Sequence, residues 1–248
     1  MRAPLTPADW IALAIFLVAW TFYEPALRAG GRRGGLINTD MLVIRRAWMA
    51  NMVVRENRFM DGQLLGQVLN SNSFLASSNL ILIAGAAGIL FHGAESYRTA
   101  ATLIVVKASS RVLFEAQVGL IALTLARGLL AFIWSIRQLN YCLAAFGAAP
   151  VAAAGAANAD YAAAAADLLN PALSAFTAGV RSYYFAAAAA AWLFGPWVFM
   201  GVTISVVALL IWRQRLSPAA HAISRLRRLL QPAETPTPDR GGESTDRR

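Results

Sequence analysis

Residues 186–212 read AAAAAAWLFGPWVFMGVTISVVALLIW, and Arg213-Gln214-Arg215 follows. These twenty-seven residues carry no charge. A helix needs about 20 mainly apolar residues to cross the hydrocarbon layer, and a soluble core helix seldom stays apolar on every face for so long. The stretch predicts a membrane span and sets the class of the whole chain. Composition agrees: of 248 residues, 58% are hydrophobic and 14% charged, where soluble domains carry about 25% charged residues. The net charge is +9, from 22 Lys and Arg against 13 Asp and Glu. Beside long apolar segments this excess points to an anionic membrane surface, where each basic residue gains about 1 kcal/mol. No nucleic-acid partner is expected.

Three further spans are read at residues 9–23, 74–91 and 118–135, giving four with residues 186–212. The first opens on Thr6-Pro7-Ala8-Asp9, where Thr caps, Pro suits the first helical position and Asp favours the positive end of the dipole. No basic run precedes it and no small-x-small cleavage site follows, so it is read as a retained span. Trp10, Trp20, Tyr23, Trp134 and Trp212 fall near span ends, where amphipathic rings prefer the interface.

Between the first two spans, residues 24–35 are rich in Gly and Arg and read as a loop. From residue 39 to 67 the pattern becomes that of a long amphipathic helix. Met41, Ile44, Trp48, Met52 and Phe59 recur at helical spacing, while Arg45, Arg46, Arg55, Glu56, Arg58 and Asp61 take other positions. No strong breaker separates it from the second span. Residues 96–117, around the short apolar run 102–106, read as an interfacial or re-entrant piece. Residues 144–191 are dominated by Ala, which suits close helix packing in a membrane and also fits compositional drift. Residues 1–216 form one membrane domain. Residues 217–231 form a basic amphipathic helix opened by Ser217-Pro218, and residues 232–248 read as a disordered tail.

Orientation is weakly determined, because with four spans the basic residues divide almost evenly. An extra span at residues 140–157 satisfies the charge rule better, but Pro150 and the scarcity of large apolar residues there speak against it.

Chemistry points to charged residues near the membrane. Arg127 falls near the middle of the third span. A charge there costs about 2.5–3.5 kcal/mol on insertion scales, so it pairs, snorkels or faces water. Arg111 and Glu115 lie toward one end of that helix. Trp134, Ser135, Arg137, Gln138, Asn140 and Tyr141 form a polar exit at the other, with Arg137 and Tyr141 on one face. Arg181, Tyr183 and Tyr184 stand at the entrance to the last span. If the last two spans are antiparallel neighbours, these clusters meet at one level. With Arg46, Arg55, Arg58 and Asp61 they then form a pocket for phosphate or carboxylate headgroups. The alternative is an ordinary interfacial Arg/Tyr belt. Asp160 and Asp167 read as a solvated stripe. No phosphate-cradling loop, zinc-protease motif or paired carboxylates at metal-ligand spacing is present, and Cys142 is the only cysteine. His92 and His221 each lie near a helix end. No enzymatic activity, cofactor or metal is expected.

These residues also carry a resemblance. Arg46-Ala-Trp48-Met49-x-x-Met52-x-x-Arg55-x-x-Arg58-x-x-Asp61, then Ser73-Phe74-x-Ala76-Ser77, resembles the signature of the domain of unknown function 599 family. So do Trp134-Ser135-x-Arg137-Gln138-x-Asn140-Tyr141 with Gly147-Ala-x-Pro150, and Gly179-x-Arg181-x-Tyr183-Tyr184-Phe185-Ala186. The resemblance covers roughly residues 9–212. It implies a small multi-span membrane protein of bacteria or plants, with no activity to carry over. Two departures stand out. The family often shows Asn-Arg-Gly where this chain has Thr177-Ala178-Gly179. It often shows a Lys one turn before the Trp, where this chain has Ala131 and carries Arg127 a turn earlier.

The sequence thus predicts an all-α integral protein of a bacterial cytoplasmic (inner) membrane, in contact with anionic lipids. The function read first is a structural or accessory component, packed in a homo-oligomer or against a membrane complex. The second is a small anion or solute transporter or channel lined by Arg127, Arg137 and Arg181. The third is a protein or enzyme that handles lipid headgroups.

Overall fold

The computed structural model describes residues 5–30, 36–103, 110–150 and 156–230. Among these the chain is helical, with no strand: α1 (Pro7–Gly30), α2 (Ile37–Val54), α3 (Phe59–Phe91), α4 (Gly93–Ala101), α5 (Arg111–Ala148), α6 (Ala156–Ala190), a 3-10 turn (Ala191–Phe194), α7 (Pro196–Arg215) and α8 (Pro218–Leu230). Four stretches are long and apolar enough to cross a membrane, falling in α1, α3, α5 and from α7 onward. The assigned tail at 232–248 and most of the run at 102–106 lie outside the described residues.

The uncharged stretch is two helices, not one. Its Ala-rich half closes α6, and its bulky half is α7. The break follows from Phe194-Gly195-Pro196. Proline disfavours helical backbone in the residue before it, and Gly195 takes φ 109° and ψ 164°, a region open essentially to glycine alone. Gly195→Ala should lower stability by about 1–3 kcal/mol, read as an earlier thermal unfolding midpoint in detergent.

Side-chain bonds give each helix its direction. Tyr161 donates to Ala145 O at 2.6 Å, Ser135 to Ala172 O at 2.6 Å, and Gln117 to Trp192 O at 3.0 Å. Residue numbers fall on one helix as they rise on the other, so α5 and α6 are antiparallel over their length. A Cβ on Gly128 would stand 1.8 Å from Ser182 Oγ, so glycine is what lets these two backbones meet. On the other side of α5, Asn72 Nδ2 donates to Ser135 Oγ at 2.7 Å and Asn79 Nδ2 to Leu125 O at 2.9 Å. That makes α3 antiparallel to α5. α1 runs parallel to α7: Asp9 Oδ1 accepts from Trp192 Nε1 at 2.9 Å, the Phe16 and Phe199 rings lie 5.2 Å apart, and Leu27 shares a groove with Ile211 and Arg215.

Two apolar helices, α5 and α7, therefore run the same way, and α6 is the return limb between them. Hydropathy does not mark α6 because Asp160, Asp167, Asn170 and Arg181 interrupt its alanines. α5 has 38 residues, about 57 Å at 1.5 Å per residue, against a hydrocarbon layer of about 30 Å. The surplus stands at the end where α2 and α8 lie. There Met49, Met52, Leu65, Leu139, Cys142, Phe146 and Leu169 share a core. A second core joins α1, α6 and α7 around Phe16, Phe185, Trp192 and Phe199. Outward faces remain apolar: Phe22, Ile81, Leu130 and Ile204 are all more than half exposed. Lipid is the solvent that such surfaces fit.

Boundaries move for physical reasons. The helix read at 39–67 is broken at residues 55–58, and its second part is the start of α3. Arg58 makes the break by holding the carbonyls that end α2. The loop read at residues 24–35 is helical as far as Gly30, since α1 carries Pro25 inside it, and residues 31–35 lie outside the described residues. The polar exit of the third span lies within α5. The extra span considered at 140–157 begins as the end of α5, its residues 151–155 lie outside the described residues, and the additional limb is α6. The two capped starts form as read: Thr6 N donates to Asp9 Oδ2 at 2.9 Å and Ala220 N to Ser217 Oγ at 3.1 Å.

Candidate functional site

Ten residues separate Arg127 from Gln117 on α5, and eleven separate Arg181 from Trp192 across the end of α6. At 1.5 Å per residue both guanidinium-bearing positions stand about 15 Å above the Asp9–Trp192 level. That distance is half the thickness of a hydrocarbon layer of about 30 Å. Both face α1. The Arg127 guanidinium lies 5.0 Å from the Trp20 ring centre, and that of Arg181 lies 5.5 Å from Tyr23. Arg181 also donates to Glu24 Oε2 at 2.8 Å, with only 11% of its own side chain exposed. α1 supplies Trp20, Tyr23 and Glu24 from one turn, because residues three and four apart share a helical face.

Two cavities meet at the Glu24–Arg181 pair. The deeper one, about 40 Å³, is lined by Arg127, Trp20, Ala131, Ala178, Ser182 and the pair itself. It holds roughly one water. The other, about 210 Å³, is bounded by the pair together with Asn38, Thr39, Ser174 and Gln214. Ala131 and Ala178, two of the three positions where the chain departs from the resembled pattern, both line the deeper cavity. Arg127, itself exposed, and the Glu24–Arg181 ion pair thus stand together, with amide and hydroxyl groups beside them. Guanidinium groups of this kind are able to engage an anion through charge-assisted hydrogen bonds.

The composite pocket expected from the sequence is not assembled. Of its members, Arg127 and Arg181 come together, and Glu24 joins them although the sequence placed it in a loop. Arg137 does not. It sits on an exposed face of α5, donates to Tyr141 Oη at 2.7 Å, and has exposed Trp134 and Asn140 for neighbours. Of Arg127, Arg137 and Arg181, only Arg127 and Arg181 face α1 and line one cavity. Gln138 is buried within α5's packing. Tyr183 donates to Leu75 O at 2.7 Å and ties α6 to α3, while Tyr184 accepts from Arg213. Glu115 pairs with Arg111 at 2.6 Å at the far end of α5.

Arg46, Trp48, Arg55, Arg58 and Asp61 belong to the helical cap. Asp61 is fully buried, and its Oδ1 accepts from Trp48 Nε1 at 2.7 Å and Arg55 at 2.5 Å. Arg58 donates to Met52 O (3.2 Å), Val53 O (2.9 Å), Ala149 O (2.6 Å) and Pro150 O (2.5 Å). It closes the C-termini of α2 and α5 together, which answers the orphan carbonyls of both helices. Arg46 meets Asp167 at 3.7 Å with both side chains about two-thirds exposed, a pair worth little. Arg45 is buried by its surroundings, which pushes its guanidinium down to about 10. Asp40, 1% exposed, accepts from Arg227 at 2.9 Å and fastens α8 to α2. Removing Arg55 would leave the Asp61 carboxylate buried with one partner fewer. Arg55→Ala should cost about 3 kcal/mol or less, since Arg55 is itself 45% exposed, measured as a lowered thermal midpoint.

Among the described residues, no three His, Cys, Asp or Glu side chains converge as metal ligands. A family model described as "Protein of unknown function, DUF599" matches residues 11–219. No curated protein and no solved structure matches the chain.

Proposed function

We propose, for a chain that belongs to the DUF599 family of proteins of unknown function, a multi-span membrane protein that binds a small anionic group between α1 and the α5–α6 pair. The observation that carries this reading is the convergence of Arg127 and Arg181 on the one turn of α1 that bears Trp20, Tyr23 and Glu24. Charges within apolar membrane helices are costly and mark functional sites. The 210 Å³ cavity suits a phosphate, a carboxylate or the phosphate end of a headgroup. The converging groups are guanidiniums, amides and hydroxyls that bind and orient, so the role is recognition or passage of the anion.

Sidedness follows from the same geometry. Arg45, Arg46, Arg55, Arg58, Arg213, Arg215, Arg225, Arg227 and Arg228 belong to the end with α2 and α8. Arg98 and Arg111 are the described basic residues at the other. Basic residues gather on the cytoplasmic side, so the helical cap faces the cytoplasm and the cavity opens toward it. The bacterial inner membrane fits this arrangement.

The test is binding to the purified full chain in mild detergent. Trp20 fluorescence responds to what reaches Arg127, and the probes are inorganic phosphate and short-chain phosphatidylglycerol. Saturable binding of phosphate supports a free-anion site, and binding of the lipid alone supports a headgroup site. Failure of both to saturate overturns the reading.

A second reading, packing against another copy or a partner helix, has one observation behind it. Gly62, Gly66, Gly85 and Gly88 on α3 have open space around them, and small residues let helices approach in lipid. Gly85→Leu should shift the elution volume of the purified protein toward a smaller species. An unchanged volume removes this reading.

A further inference from the structure

A groove of about 350 Å³ runs along the α1–α7 contact, with Tyr23 between it and the Arg127 cavity. Its floor is made by Ala19 and Ala26, one heptad apart on α1, and its walls by Val18, Phe22, Val207 and Ile211. Val18 and Phe22 are 57% and 59% exposed, so the groove opens sideways at hydrocarbon depth. From Val207 to Arg215 it follows α7 for eight residues, about 12 Å. It ends at the exposed guanidinium of Arg215, in the last turn of α7. Among the described residues Arg215 has no hydrogen bond or ion pair, while neighbouring Arg213 is engaged with Tyr184.

We propose that this groove is a binding site for one anionic phospholipid. An acyl chain lies over Ala19 and Ala26, and the phosphate rests on Arg215. The charge arrangement selects the occupant. An apolar slot open to the membrane interior takes hydrocarbon, and a cation at its cytoplasmic mouth takes a phosphate, which guanidinium engages through paired hydrogen bonds. A zwitterionic lipid brings its own ammonium to that mouth, whereas an anionic headgroup leaves the phosphate and the cation to each other. The small residues at 19 and 26 leave the space, since any larger side chain there fills it. The groove shares the Tyr23 and Leu27 side chains with the two cavities at the Glu24–Arg181 pair, but its cation, Arg215, lines neither of them.

The experiment is native mass spectrometry of the full chain extracted from nanodiscs of dioleoyl phosphatidylglycerol mixed with dioleoyl phosphatidylcholine. Variants are Ala26→Phe, which fills the floor, Arg215→Gln, which removes the charge, and Arg137→Gln, on an exposed face of α5, as a comparison. Ala26 and Arg215 are exposed, and unchanged elution volume confirms folding. Wild type and Arg137→Gln should retain one phosphatidylglycerol more than Ala26→Phe. Arg215→Gln should lose its preference for phosphatidylglycerol over phosphatidylcholine by about tenfold, as befits one charge-assisted contact. Equal retention by wild type and Ala26→Phe overturns the site, and an unchanged headgroup preference in Arg215→Gln overturns its anionic character.

Discussion

Arg127→Ala should weaken anion binding by about 10- to 100-fold, and adding Ala131→Lys should recover most of the loss. The magnitude is that of one hydrogen bond to a charged group, about 1.5–3 kcal/mol, with tenfold for each 1.4 kcal/mol. The recovery follows from geometry. Ala131 is one helical turn from Arg127 on the same face, and both line the deeper cavity with Glu24 and Arg181. A lysine there restores a cation at nearly the same depth, although without the planar fork of arginine. Arg181→Ala should be more damaging, because it also strips Glu24 of a partner at 2.8 Å. Arg137→Ala should leave binding unchanged, since Arg137 is exposed on another face and meets Tyr141. Titration of inorganic phosphate into each variant reads all four results. Equal losses from Arg127→Ala and Arg137→Ala would point to surface charge in general and not to this cavity.

Arg58→Ala should be the most destabilising single change in the helical cap, by about 3–5 kcal/mol, allowing for bonds that are not additive. One guanidinium accepts no substitute here. Its Nε and both terminal nitrogens reach four carbonyls on two helix ends, and the ammonium of Lys, a single point, cannot span them. For a chain of this size the loss corresponds to a fall of about 10 °C in thermal midpoint. Arg58→Lys should recover less than half of it. Arg46→Ala, by contrast, should fall within about 0.5 kcal/mol of wild type, because its partner Asp167 is as exposed as itself.

Sequence pattern revealed those parts of the fold in which local chemistry decides. The capped start at Thr6, the basic helix after Ser217 and the apolar faces of α3, α5 and α7 are of this kind. α6 is different. Asp160, Asp167, Asn170 and Arg181 break up its hydropathy signal, and its place as a return limb depends on Gly128 and Ser135, residues of another helix. The break at residues 55–58 has no Gly or Pro to announce it, because Arg58 makes it by holding Met52 O and Val53 O while anchored on the end of α5 ninety residues away. The Gly195-Pro196 pair did stand in the quoted stretch, but unbroken apolarity over twenty-seven residues spoke more strongly than two breakers. Of the site, Arg127 and Arg181 were legible as cations in or beside apolar helices. Glu24 was hidden by Pro25 and the glycines after Gly30, which gave its neighbourhood the look of a loop. Arg137 shared a helix and a motif with its fellows, and only the direction of its side chain removes it from the cavity.

The site exists only if α6 returns through the bilayer, for that is what brings Arg181 level with Arg127. Side-specific labelling of α4 and α8 measures this directly. In a Cys142→Ala background, Ala94→Cys on α4 and Arg228→Cys on α8 are each exposed and are probed with a membrane-impermeant maleimide in intact cells and in inverted vesicles. Two passes precede α4, and five precede α8 when α6 is counted. The two cysteines should therefore label from opposite sides, with Arg228→Cys reached only in inverted vesicles. Labelling of both from the same side would mean that α6 does not cross, and would contradict the shared depth on which the anion site stands.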